Sequence, residues 1–299
     1  MITWGINANN HDASISVFYN NHLLYAGHSE RYTKVKNDKL LSGEQIRHLI
    51  CTWGEPKQIV WFEKPVLKFL RQLYSGESYS YFSPKEYLKW LDITAPIEYV
   101  HHHEGHAASA FYTSGYDEAA VLVIDSIGEW NSVSIWKGSD KGLEKVYTIN
   151  YPSSVGLFYS AMTQRVGLKP NEEEYILMGM SGYGNPETYY YDMKKDFFDG
   201  LEVKENLHKG CLWWKAGKIK EYDVAAATQL IFEEILASLA HKAKQLTGSD
   251  NLAYAGGCAL NCSANSLLYG IFKNIWIFPN PGDSGLSVGA VLALSLIHI

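Results

Sequence analysis

No long hydrophobic run occurs anywhere in this 299-residue chain: the most extended apolar stretches, 119–124 and 288–294, fall far short of the roughly 18 residues that a membrane-spanning helix needs. The start, MITWGINANN, has neither a basic head nor a long apolar stretch, so it does not read as a secretory signal and a cytoplasmic address is expected. Cysteine is scarce, with Cys51, Cys211, Cys258 and Cys262 in the whole sequence, which excludes a disulfide scaffold and predicts reduced thiols. Positive charge is not in excess. The 26 Lys+Arg against 32 Asp+Glu leave a net charge of −6, which argues against a broad nucleic-acid face. Linkers, low-complexity runs and charge blocks are also missing.

What is present is a globular composition, 46% apolar and 19% charged, at a length that suits about two compact units. Strands are predicted at 2–8, 13–19 and 22–28, with Asn20–Asn21 as the turn of a three-strand meander. Ser42 with Gln45 three residues on is a capping-box signature for a helix. Strands follow at 58–63 and 97–101, with a helical segment started by Pro84 between them. From residue 119 the pattern restarts: strands at 119–125, 132–137 and 143–149 form a second meander. Helices at 154–166 and 224–247 precede a βαβα close, with strand 252–255, helix 258–269, strand 274–278 and helix 284–294. The repeat implies an α/β protein of two copies of one unit, 1–118 and 119–293, facing each other across a cleft.

Four histidines in six residues, His101–His106 in HHHEGH, open a helix. An i, i+4 pair such as His102 and His106 projects two imidazoles from one face at the separation one metal ion requires; His103 with His106 is the rival pairing. Asp125 ends a strand and Asp283 starts the last helix, the positions where α/β proteins place ligand-handling groups. Asp283 is also readable as a plain helix cap. Three small-residue loops could bring backbone N–H groups to a phosphate: NANNHDAS (7–14), DSIGE (125–129) and YAGGCALN (254–261). No nucleophile triad is visible, and Cys258 and Cys262 read as small thiols on one side of a helix.

The segments GINANNHDASISVF, ERYTKVK, HHHEGHAASAFYTSGYDEAAVLVIDSIGE, EEEYILMGMSGYG, YAGGCALNC and NPGDSG occur in the order seen in the N-terminal half of the nodulation-type O-carbamoyltransferase family. The resemblance spans nearly all of residues 1–293. It implies two RNase H-like lobes of the actin, hexokinase and heat-shock ATPase (ASKHA) superfamily, similar also to the tRNA threonylcarbamoyl-transfer protein. It further implies a divalent metal between the lobes, iron first and manganese or zinc next, on His102, His106, Asp125 and Asp283. By the same resemblance His11 contacts the carbamoyl group or relays the acceptor proton, Lys36 meets a phosphate, and Asn7, Asn10, Ser126, Gly128, Gly256, Gly257 and Asn261 cradle an adenylate. The family makes carbamoyl adenylate from carbamoyl phosphate and ATP in a second, C-terminal domain and passes the carbamoyl group to a small hydroxylated acceptor.

Where many relatives carry a lysine, this chain has Ile176, and the neighbouring Glu172, Glu173 and Glu174 read as a solvated face. Residues 294–299 resemble a translated transposon end, so a non-native tail and a missing C-terminal domain are expected. The competing readings are a tRNA threonylcarbamoyl transferase, which the net charge disfavours, and a nucleotide-binding switch domain without transfer activity, which has no need of two histidines facing a cleft.

Overall fold

The computed structural model describes residues 1–76 and 82–297. Its first sheet begins with an antiparallel meander of β1 (Ile2–Asn7), β2 (Ser14–Tyr19) and β3 (His22–His28), to which β4 (Gln58–Trp61) and β5 (Ile97–Tyr99) add in parallel on the β1 side. The second begins with β6 (Ala119–Ile124), β7 (Asn131–Ser139) and β8 (Gly142–Asn150). A two-stranded ribbon of β9 (Phe198–Asp199) and β10 (Glu202–Val203) stands apart, and β11 (Asn251–Ala255) and β12 (Asn274–Ile277) complete the second sheet in parallel beside β6. Counting strands from each meander's start, both sheets have the order 3-2-1-4-5. The repeat of the sequence is therefore a repeat of topology.

In the first half, α1 (Glu30–Thr33), α2 (Gly43–Trp53), α3 (Pro65–Ser75) and α4 (Pro84–Trp90) connect the strands, and α5 (His102–Ser114) leads to β6. The second half adds α6 (Val155–Arg165), α7 (Glu174–Ser181), α8 (Tyr190–Phe197), α9 (Glu221–Thr247), α10 (Cys262–Asn265) and α11 (Leu286–Ile297). The expected tail at 294–299 overlaps the end of α11, and residues 298–299 lie outside the described residues.

Local chemistry explains several boundaries. Asn20 and Asn21 both take positive φ, 46° and 69°, the conformation that a tight hairpin turn demands and asparagine tolerates. Ser42 caps α2 by accepting from the Gln45 N–H at 3.3 Å, but the reciprocal half of the capping box is absent. The Gln45 amide instead accepts from Ser29 Oγ at 2.9 Å and donates to the Gly27 carbonyl at 2.9 Å, so it is spent on tying α2 to β3. The strand expected at 97–101 stops at Tyr99, because His101 already has the extended backbone of a helix N-cap. The single helix expected over 258–269 is broken. Asn261 leaves the helical region at ψ 85° and its side chain accepts from Ala264 N–H, starting α10 afresh after a 3₁₀ turn at Gly257–Leu260. Cys258 and Cys262 therefore lie on different elements rather than on one helical face, the first in the 3₁₀ turn and the second exposed at the start of α10.

Strand β6 is buried at all six positions because both faces of its sheet are covered. Ala120, Leu122 and Ile124 pack with Phe158, Ile231 and Phe232 of α6 and α9; Val121 and Val123 pack with Ala107, Ala110 and Phe111 of α5. Each such aliphatic side chain contributes about 1.5–3 kcal/mol on burial. The first sheet is covered by α2 on one face, where Trp4 and Ile6 meet Ile46 and Leu49. On its other face lies α11, whose Val288 and Val291 join Phe18 and Val60.

A division at residue 118 separates the two sheets but not these two helices. The helix α5, from the first half of the chain, packs on the second sheet, while α11, from the end of the chain, returns to the first. They touch each other backbone to backbone. A Cβ on Gly289 would stand 2.0 Å from the Gly105 carbonyl oxygen, and one on Gly5 of β1 would stand 1.7 Å from the Ser287 carbonyl oxygen.

Gly289→Ala is accordingly expected to lower the unfolding free energy in urea by about 1–3 kcal/mol, since the obstacle is backbone rather than a movable side chain. Gly179→Ala, in open space on α7, is expected to be neutral or to stabilise by up to about 1 kcal/mol. Equal stability of the two variants would contradict the close crossing.

Candidate functional site

Because α5 and α11 run from the same end of their crossing, the first turn of α5 and the Asp283–Gly285 turn leading into α11 meet beside the end of β6. Three segments thereby bring together His102 and His106, Asp125, and Asp283, all buried, with ligand atoms within 4.8 Å of one another. His102 Nε2 lies 3.0 Å from Asp125 Oδ2 and 3.4 Å from Asp283 Oδ1; His106 Nε2 lies 3.5 Å from Asp283 Oδ1 and 3.9 Å from Asp125 Oδ2. The rival histidine turns elsewhere. His103 Nδ1 pairs with the Ser134 hydroxyl at 2.8 Å, and burial together with neighbouring His102 holds its pKa down to about 3. His101 is on the surface, with Nε2 3.0 Å from Lys64 Nζ.

The electrostatics of the four-residue group favour a cation. Burial disfavours the His102 imidazolium, yet Asp283 and Asp125 outweigh it and raise the His102 pKa well above the ordinary value. Burial pushes both carboxylates up, and Asp283 adds to this for Asp125; the imidazoles, His102 foremost, more than reverse it, so both stay below the usual carboxylate range. With neutral imidazoles the group carries two buried negative charges, an arrangement that is costly without a counter-ion. His106 Nε2 has no hydrogen-bond partner among the described residues. Two imidazole nitrogens and two carboxylate oxygens within 4.8 Å of one another are a donor set that suits a divalent iron, manganese or zinc ion. The residues present fit the group that the sequence resemblance implies.

Beside the carboxylates opens a cleft of about 550 Å³ between the lobes. Of the residues singled out in the sequence, Asn10, His11, Lys36, Asp125, Ser126, Gly257, Asn261 and Asp283 line it. Asn10 Nδ2 donates to Asp283 Oδ2 at 3.2 Å, and Gly257 N–H donates to Asp125 Oδ1 at 3.2 Å. His11 bridges two carboxylates, with Nδ1 2.7 Å from Asp12 Oδ2 and Nε2 3.5 Å from Asp283 Oδ2. Burial lowers its pKa, but Asp283 and Asp12 prevail and lift it to about 9. Lys36 extends over the Tyr175 ring, with Nζ 5.7 Å from its centroid.

Of the residues expected to cradle the adenylate, Asn7, Gly128 and Gly256 do not line the cleft; each has structural work nearby. Asn7 is wholly buried and donates to the carbonyls of Asp12 and Asp283, both at 3.0 Å, so it ties the β1–β2 loop to the Asp283 turn. Gly128 leaves room for the histidine rings, since a Cβ there would stand 2.9 Å from His103 Cδ2 and 3.3 Å from His102 Cδ2. Gly256, at φ +96°, lets β11 pass the Ile124 carbonyl oxygen, which a Cβ would approach to 2.2 Å.

Sequence reading left other residues without a role. Tyr159 and Phe232 also line the cleft, and nothing distinguished them from core aromatics in the sequence. Glu172 and Glu174 line the cleft rather than forming a solvated face, and Glu174 accepts from Ser160 Oγ and Asn171 N–H, both at 2.7 Å. A second titratable group, Asp12, His28 and Glu30, is only half-buried. Its carboxylates are already engaged, Asp12 by His11 and Glu30 by the Asn37 N–H at 3.0 Å.

Anaerobically purified protein is expected to hold about one divalent ion per chain. His102→Ala and His106→Ala should each lose that ion while staying folded, and His101→Ala should retain it. Metal analysis of the three variants beside circular dichroism checks this, and equal loss in all three would sink the pairing of His102 with His106.

Comparison with known proteins agrees with this geometry at the level of fold and family. The family described as carbamoyltransferase N-terminus matches residues 62–292. An uncharacterized protein of Synechocystis sp. is 32% identical over 97% of this chain and 56% of its own length. Nodulation protein NolNO of Sinorhizobium fredii is 30% identical over 67% of this chain and 31% of its own. This chain thus spans between about a third and a little over half of such relatives. Among solved structures, HypF of T. kodakarensis superposes with a TM-score of 0.58 at 13% identity, covering 99% of this chain and 47% of that one. The activator of 2-hydroxyisocaproyl-CoA dehydratase from Clostridium difficile, with bound ADPNP, gives 0.52 at 11% identity over 100% and 95%. These likenesses show an actin-like, ASKHA-type fold of two lobes, in accord with the repeated 3-2-1-4-5 sheets. With more than two thirds of its length matched by the family, this chain belongs to the carbamoyltransferase N-terminal domains.

Proposed function

We propose that this chain carries the transfer site of an O-carbamoyltransferase, which moves a carbamoyl group from carbamoyl adenylate to a hydroxyl of a small molecule. The observation that carries the reading is the buried group of His102, His106, Asp125 and Asp283 at the wall of an interlobe cleft, in a chain of this family. In this reading the adenylate is made from carbamoyl phosphate and ATP by a second, C-terminal domain of the kind that would account for the greater length of the relatives.

The four residues would hold a divalent cation, iron first and manganese or zinc next. Once bound, such an ion polarises a carbamoyl carbonyl and steadies the oxyanion that develops. The chain's own residues do the rest. Lys36 offers its ammonium to the adenylate phosphate, and Ser126, Gly257 and Asn261 line the same cleft as polar and backbone contacts for the nucleotide. His11 faces the cleft with Nδ1 anchored on Asp12, so its ring is oriented to contact the carbamoyl group or to relay the acceptor proton. The acceptor oxygen bonds to the carbamoyl carbon, the bond from that carbon to the phosphate oxygen breaks, AMP leaves with the electron pair of that bond, and the hydroxyl proton passes by way of His11 to the departing phosphate or to solvent. Tyr159 and Phe232 offer apolar surface to the adenine.

Synthetic carbamoyl adenylate supplied to the metal-loaded chain with a panel of hydroxylated acceptors tests the reading. AMP release should depend on acceptor and fall at least about a hundredfold in the His102→Ala/His106→Ala variant. Release at the wild-type rate in that variant would refute the assignment of the transfer site.

A further inference from the structure

The two imidazoles at the centre of the site lack the usual outer support. A metal-ligating histidine ordinarily donates its second ring nitrogen to a carboxylate or carbonyl that fixes the ring. Here Nδ1 of both His102 and His106 is buried with no hydrogen-bond partner among the described residues. The rings then depend on the backbone at the start of α5 and, for His102, on the Asp125 contact of Nε2 and on packing against Phe62 beside Gly128. That turn in turn has no cap of its own, because the His101 side chain makes no capping bond.

The missing cap comes from another segment. Glu129, only 6% exposed, sits four residues after Asp125 in the turn between β6 and β7. Its carboxylate accepts from the His102 N–H at 3.1 and 3.2 Å and from the Lys64 N–H at 3.0 Å. One side chain thus joins the turn that follows Asp125, the helix start that carries His102, and the segment between β4 and α3 in the first lobe. A negative charge at a helix N-terminus is favourable in itself, and this one is held where a shift of the helix would move both histidines relative to Asp125.

We propose that Glu129 is a positioning residue of this site: by bonding the His102 and Lys64 backbone amides it sets the histidine pair in register with Asp125 and fixes that register to the first lobe. Its metal readout rests on the reading of the four residues as ligands; its backbone readout does not. The experiment compares the full chain with Glu129→Ala, Glu129→Gln and Glu129→Asp. Anaerobic Fe²⁺ titration against a competing chelator gives affinity, and amide hydrogen exchange of the metal-free proteins gives the state of the His102 and Lys64 N–H groups.

Glu129→Ala should weaken Fe²⁺ binding by about ten- to a hundredfold and speed exchange at His102 and Lys64, leaving Leu122 in the centre of β6 as protected as in the wild type. Glu129→Gln, whose single amide oxygen can still accept from the His102 and Lys64 N–H groups but which lacks the charge and the second acceptor, should lose clearly less than alanine in both measurements. If the alanine variant does not fold, Glu129→Asp, one methylene shorter, should show an intermediate loss of both. Unchanged His102 exchange in the alanine or aspartate variant, or damage in the glutamine variant equal to that in alanine, would overturn the proposal. Should wild type and His102→Ala/His106→Ala bind Fe²⁺ alike, the ligand reading fails, and the exchange data still decide the role of Glu129.

Discussion

The contact on which the rest of the molecule depends is the backbone crossing of α5 and α11 at Gly105 and Gly289. A Cβ on Gly289 would run into the Gly105 carbonyl, whereas one on Gly105 would press on the end of the Leu286 side chain. Because both positions are glycine, a helix packed on the second sheet lies against one packed on the first, and the two lobes share an interior. The same crossing places the start of α5 beside the turn that leads into α11. Four groups separated by up to 181 positions in sequence, from His102 to Asp283, become one cluster at that point.

Around the cluster the charges are balanced only within the group itself and its immediate neighbours. Two buried carboxylates are kept ionised by two imidazoles and by His11, whose own proton is stabilised by Asp283 and Asp12. The cost of burying these groups is offset by mutual pairing, and a divalent cation would satisfy the same carboxylates without requiring the histidines to be protonated. That substitution of one positive charge for another is the physical basis for reading the site as a metal centre.

The lining of the cleft is of two chemical kinds. His11, Lys36, Asp125 and Asp283 are ionisable, and Tyr159, Met178 and Phe232 are aromatic or apolar. The adenylate proposed above, with its acyl group, phosphate and aromatic base, would meet both kinds of surface. The glycines predicted to touch such a ligand do not all reach it. Gly257 reaches the cleft, whereas Gly128 and Gly256 serve the packing that shapes its wall.

The amino-acid sequence by itself determined the periodic features: two meanders, the asparagine turn at Asn20–Asn21, the cap at Ser42, and the one-turn spacing of His102 and His106. These are local, and backbone sterics and side-chain reach decide them within a few residues. Motif resemblance carried the ligand set further than spacing could, since nothing local joins His102 to Asp283. Spacing alone left His102 and His103 as rivals, and the tertiary structure separates them by giving His103 a partner in Ser134 on a strand 31 residues away. It also broke the expected helix at Asn261 and turned Gln45 from a cap into a tie to β3. The structure alone, too, brought Glu129 to a helix start 27 residues earlier in the chain. Each of these outcomes depends on which buried polar group lies within hydrogen-bonding distance after folding, and hydrophobic periodicity carries no record of that.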